Sequence, residues 1–83
     1  MSVPCELFGT LGCHLCEKAE QVLQPFVVRG LVVELLDITD SQQWFERYAL
    51  TIPVLRRVDT GQELNWPFNE DDVLDFLTDH ISN

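Results

Sequence analysis

Residues 5 to 17 read CELFGTLGCHLCE: a short strand-like run closed by Gly9, a loop, and two cysteines two residues apart. From His14 onward Leu15, Ala19, Val22, Leu23, Phe26 and Val27 recur at helical spacing, with Glu17, Lys18, Glu20 and Gln21 on the other face. A strand therefore feeds a helix that starts at the cysteines, and this junction limits the folds open to the chain. Pro25 is expected to kink or end that helix, because its ring removes one hydrogen bond and collides with the carbonyl of Gln21. Gly30 is the expected stop.

The remaining elements follow by the same reading. Residues 31 to 38, LVVELLDI, are too short and too flat in periodicity for an independent helix and predict a strand. Asp40 is expected to cap a second helix, with Gln43 at capping-box spacing and Trp44, Phe45, Tyr48 and Ala49 as its apolar stripe. PVLRRV (53 to 58), DTG (59 to 61) and QELNW (62 to 66) read as a hairpin. Residues 69 to 81 predict a last helix capped by Asn69, with Glu70, Asp71 and Asp72 at its positive end and Val73, Leu74, Leu77 and Ile81 buried. The order is β-α-β-α-β-β-α over one domain, residues 1 to 83, and a four-stranded mixed sheet flanked by helices satisfies every apolar stripe.

Composition narrows the function. Fourteen acidic residues against five basic ones give a formal charge of −9, which offers no cationic field to a phosphate backbone, so nucleic acid is not an expected partner. No run of the sequence approaches the ~18 apolar residues of a membrane span, and the N-terminus lacks the basic start of a signal peptide. A soluble monomer in a reducing, cytoplasmic setting is the expectation, and there a close cysteine pair is more often catalytic or metal-binding than structural.

Two chemistries suit the pair. At a helix start, unpaired backbone N–H groups and the helix dipole stabilise a thiolate, which makes Cys13 a nucleophile and leaves Cys16, one turn further in, to resolve a mixed disulfide. His14 is a candidate for tuning that chemistry, although adjacent helix positions do not face one another. The other chemistry is metal binding, which needs two further ligands, and Cys5, His14 and His80 are the only soft candidates without any second pair at ligand spacing. No metal is therefore expected, and Cys5, mid-strand among apolar residues, reads as a buried core thiol.

The tripeptide Thr51-Ile52-Pro53, whose proline lies 37 residues after Cys16 just before the hairpin, gives the pattern its second anchor. With the Cys-x-x-Cys at a helix start, the element order and this Thr-hydrophobic-Pro, the chain resembles the glutaredoxin branch of the thioredoxin-fold superfamily over essentially its whole length. The resemblance implies a thiol-disulfide oxidoreductase with Cys13 and Cys16 as the catalytic pair, Pro53 as a cis-proline beside them, and Ile52, flanked by Thr51, lending its backbone to the substrate. It implies as partner a disulfide-containing protein or a glutathione mixed disulfide. No bound cofactor is expected, and glutathione would enter only as a co-substrate.

Departures from the family pattern count against glutathione. His14-Leu15 replaces the usual Pro-Tyr or Pro-Phe, Thr10 and Leu11 stand where a basic residue is common, and NWPFNED replaces the Gly-Gly and Ser/Thr/Cys-Asp that hold the γ-glutamyl group. Trp66 and Phe68 either line a substrate groove or fill the core, and the core is the expected place for both. The competing class is a non-catalytic thioredoxin-fold adaptor, or a module for metal or cluster assembly.

Overall fold

Alternation along the first strand sends its side chains to two faces, and each face has its own helices. The computed structural model describes residues 3–78. In chain order it contains β1 (Cys5–Gly9), α1 (His14–Val28), β2 (Val33–Asp37), a 3-10 turn (Ile38–Asp40), α2 (Gln42–Tyr48), β3 (Val54–Arg57), β4 (Glu63–Asn65) and α3 (Glu70–Leu77). The sheet order is β2-β1-β3-β4, with β1 parallel to β2 and antiparallel to β3, and with β3 and β4 forming the hairpin. The expected mixed four-stranded sheet flanked by helices is the fold observed.

Cys5 and Leu7 of β1 join Ala19, Leu23 and Phe26 of α1 and Val73 and Leu77 of α3 in one core. Phe8 points the other way, into a second core with Ile38, Tyr48 and Val54 beneath α2. There the Phe8 ring stacks on Tyr48 at 4.3 Å between centroids and meets the edge of Trp44 at 5.6 Å. β1 is thus covered on both faces, and its two ends become the two poles of the molecule.

Several expected details are corrected. Pro25 does not end α1, which runs on to Val28, because Pro25 sits on the exposed side while Leu23 and Phe26 are held in the core. The N–H groups of Arg29 and Leu31 then close on the Phe26 carbonyl, and Gly30, at a φ of 111°, turns the chain back as expected of a stop. The second strand is shorter than LVVELLDI, since Leu31 is drawn into the core and Ile38 into the 3-10 turn.

Asp40 lies in that turn and caps nothing. Ser41 is the N-cap of α2, its Oγ accepting the Trp44 N–H at 3.3 Å, and Phe45 faces solvent while Trp44, Tyr48 and Ala49 take the core-facing side. Asn69 does cap α3, where it makes a full capping box with Asp72. Leu74 is exposed and Phe76 is packed against the core instead, and Thr78 already leaves the helical conformation. Residues 79 to 81 of the expected helix, with Ile81 and the soft ligand His80, lie outside the described residues.

Candidate active site at the N-terminus of the first helix

The loop after β1 is built so that a sulfur arrives at the head of α1. Gly12 takes a φ of 77°, open to glycine at no steric cost, and the next residue, Cys13, is the N-cap in extended conformation. Its Sγ accepts the Cys16 N–H at 3.1 Å, and its carbonyl accepts the Glu17 N–H at 3.2 Å. A sulfur thus occupies the place an oxygen fills in ordinary caps, and in the ionised state that hydrogen bond becomes charge-assisted.

Cys13 and Cys16 are joined as a disulfide, with Cα atoms 5.2 Å apart. Their exposures differ: Cys13 is half-buried, whereas Cys16 is 5% exposed. Of the two sulfur-bearing residues, Cys13 is therefore the more accessible to solvent. His14 is exposed and Leu15 keeps 44% of its surface in solvent, so the two residues between the cysteines form the outer rim.

Gly9, at the end of β1, makes the room behind Cys16. A Cβ placed on Gly9 would lie 2.9 Å from Cys16 Sγ and 3.2 Å from its Cβ, closer than side chains tolerate. From the sequence alone Gly9 marks only the end of a strand. Its adjacency to a cysteine seven residues later becomes visible only once helix and strand are folded together.

The Ile52–Pro53 peptide is cis and leads directly into β3. Leu15, from between the cysteines, shares an open groove of about 340 Å³ with Leu50, Thr51, Ile52, Asn65 and Trp66. The fold therefore brings two of the three tripeptide residues to the same cleft as the cysteine loop, while Pro53 itself is fully buried and does not line it. The Ile52 N–H, however, is already used: it donates to the Tyr48 carbonyl at 3.0 Å, as does the Thr51 N–H at 2.9 Å, closing the end of α2. Of the two Ile52 backbone groups expected to meet a substrate, the N–H has an internal partner in this structure.

A second cis peptide, Trp66–Pro67, had no counterpart in the sequence reading. It separates two aromatics that go different ways, correcting the expectation that both fill the core. Phe68 is buried, whereas Trp66 spans core and groove, its ring meeting the Phe68 edge at 5.0 Å.

On the other side of Cys16, a cavity of about 250 Å³ is bounded by Gly9, Thr10, Leu11, Glu20 and Asp37 among others. Asp37, paired in register with Gly9, accepts hydrogen bonds from the Thr39 N–H at 2.9 Å and the Thr39 hydroxyl at 2.7 Å, and these, helped by Thr10, hold its carboxyl below the usual range. Thr10 and Leu11 thus share this cavity with two carboxylates, Glu20 and Asp37. Cys5 lies at the far end of β1, 1% exposed, and burial pushes its thiol up to about 11. It takes no part in the site. Among the described residues no three His, Cys, Asp or Glu side chains converge as a metal-binding set, and no helix is long and apolar enough to cross a membrane.

A mixed four-stranded sheet with a cysteine pair capping its first helix and a cis-proline opening its third strand defines a thioredoxin-fold protein. Within that class, the family model of the glutaredoxin-like domain (DUF836) matches residues 4–78, and the chain belongs to that family. It is similar to the target protein XcR50 from X. campestris, known from both an X-ray and a solution structure. The two are 32% identical, and the match to the X-ray structure has a TM-score of 0.77 and covers 88% of this chain and 93% of that one. Protein Ne2328 from Nitrosomonas europaea shares the fold with a TM-score of 0.78 at 24% identity, over 92% of each chain.

Proposed function

We propose that the protein is a thiol-disulfide oxidoreductase of a reducing compartment. One observation carries the reading: the sulfur of Cys13 is the N-cap of α1, accepts the Cys16 N–H, and is bonded to a cysteine that solvent barely reaches. In the reduced protein the Cys13 thiolate attacks one sulfur of a substrate disulfide, forming a mixed disulfide and releasing the other sulfur as a thiol. Cys16, losing its proton, then attacks Cys13 Sγ and frees the second substrate thiol. Two electrons and two protons pass to the substrate, and an external thiol reductant returns the enzyme disulfide to the dithiol. Ile52 and Thr51, next to the cis-proline Pro53, line the groove that receives the substrate. His14, exposed beside Cys13, is in reach of incoming groups.

The test is intact-mass analysis of the reduced protein after mixing with a small disulfide such as oxidised glutathione or hydroxyethyl disulfide. The expected product is the protein lighter by two hydrogens, with the new bond mapped to Cys13 and Cys16. Cys16→Ser should accumulate a mixed disulfide on Cys13, and Cys13→Ser should show no reaction above background. Retained exchange in Cys13→Ser would overturn the assignment, and stoichiometric zinc or iron in anaerobically purified protein would favour the metal or cluster-assembly module.

A further inference from the structure

The groove beside the cysteines is lined mainly by apolar side chains, and none of the residues lining it is charged. Leu15, Trp66, Ile52 and Leu50 line it, and Leu50 is 99% exposed. Leu11, on the loop before Cys13, is 89% exposed. Such surface next to a reactive sulfur is costly to leave in water unless something apolar covers it during turnover.

The charges around this surface are one-sided. Asp37 and Glu20 border the cavity behind Cys16, Glu17 follows Cys16 directly, and Glu70 and Asp71 at the head of α3 come four and five residues after Trp66. Lys18 is the only Lys or Arg in the first turns of α1, while Arg47, Arg56 and Arg57 are paired with Glu63, Glu6 and Asp59 and none of the three lines the groove.

The head of α3 is itself occupied. The Asn69 N–H donates to Asp72 Oδ2 at 3.0 Å, and the Asp72 N–H donates to Asn69 Oδ1 at 2.9 Å. Two of the N–H groups a ligand carboxylate would need are thus taken by the chain's own capping box, under a fixed negative charge. A small dicarboxylate thiol such as glutathione finds neither a cation nor a free cap.

Resting on the oxidoreductase reading above, we propose that the site's substrate is a disulfide within an extended polypeptide segment that carries apolar side chains beside the cysteine and basic side chains beyond them. The apolar neighbours fill the groove between Leu15 and Trp66. The basic ones lie toward Asp37 and toward Glu70 and Asp71, and the net charge of the protein steers them there.

Three matched substrates test this, each a mixed disulfide with thionitrobenzoate: a Leu-Cys-Leu peptide flanked by lysines, the same peptide flanked by glutamates, and glutathione. The reduced protein gives its two thiol hydrogens and two electrons to each, ending as the Cys13–Cys16 disulfide plus free peptide thiol and coloured thionitrobenzoate. Rates are divided by those with dithiothreitol to remove intrinsic reactivity. The lysine peptide should react roughly tenfold faster than the glutamate peptide at low ionic strength, with the ratio falling as salt is added. Glutathione should be no faster than the glutamate peptide, and Glu70→Gln with Asp71→Asn should narrow the ratio. Equal rates for the two peptides, or glutathione matching the lysine peptide, would overturn the substrate assignment with the oxidoreductase reading intact. Failure of all three to outpace the Cys13→Ser protein would overturn both.

Discussion

The two ends of β1 use the same residue type in opposite ways. At one end Cys5 pairs in register with Arg57, both of them buried. Arg57 donates from Nε and NH2 to Asp59 at 3.0 and 2.6 Å and from NH1 to the Phe76 carbonyl at 3.1 Å, tying the hairpin to α3. At the other end Gly9 runs against Cys16, and the chain leaves the sheet to place Cys13 on a helix terminus. Burial raises the Cys5 thiol and keeps it protonated, whereas a cap position favours the thiolate. Reactivity here follows from which backbone groups face the sulfur.

The comparison can be broken most severely at Gly9. Gly9→Ala puts a methyl group into space held by Cys16, so either the head of α1 moves or the strand end does. The expected cost is about 1–3 kcal/mol of stability in a denaturant titration, with slower disulfide exchange besides. An alanine variant as stable and as fast as the parent would show that the close approach of strand and cysteine is dispensable.

At the other pole the main contact is ionic. Hydrogen bonding to Arg57 holds the Asp59 carboxyl below its usual range, so its contribution to stability is present above the ordinary carboxylate pKa and is lost as pH falls through the lowered value. Asp59→Asn should lower stability at neutral pH and flatten part of the acid limb of a pH-stability curve. The part due to Asp37 should survive in that variant. An unchanged acid limb would remove Asp59 from the account.

Cys5→Ala should have the smallest effect near neutrality, about 1 kcal/mol for one buried heavy atom, and none on disulfide exchange. Its signature lies in alkali. Because the folded pKa is raised to about 11 from 9.0, the parent should begin to lose this stability as pH passes 9.0 and continue to lose it up to about 11, a slope the alanine variant lacks. A changed exchange rate in Cys5→Ala would mean that the two poles are coupled.

Local chemistry was legible in the sequence where a few neighbouring residues decide the outcome. β1 covers the residues expected, the cysteines sit at the head of α1, and Asn69 caps α3 through the box its spacing allows. Contacts across the fold were not legible. Pro25 reads as a breaker until the buried Phe26 holds the following turn in place, and Asp40 reads as a cap until Asp37, accepting from Thr39, starts a 3-10 turn that leaves capping to Ser41. The closeness of Gly9 to Cys16, the placement of Trp66 on the groove, and the use of the Ile52 N–H by Tyr48 are all tertiary facts. Arg57, in an RR pair at a strand end, carries no local mark of being buried. The element order and the cysteine pair at the head of α1 could therefore be read from the chain, and the shape of the groove beside it could not.

The central claim is that backbone placement makes Cys13 the reactive sulfur of the three. Competitive alkylation of the fully reduced protein with limiting iodoacetamide at neutral pH, read site by site by peptide mass spectrometry, measures this directly. The account predicts Cys13 labelled first, Cys16 well behind it, and Cys5 only on unfolding or as pH nears 11. Labelling of Cys16 or Cys5 ahead of Cys13 would contradict it.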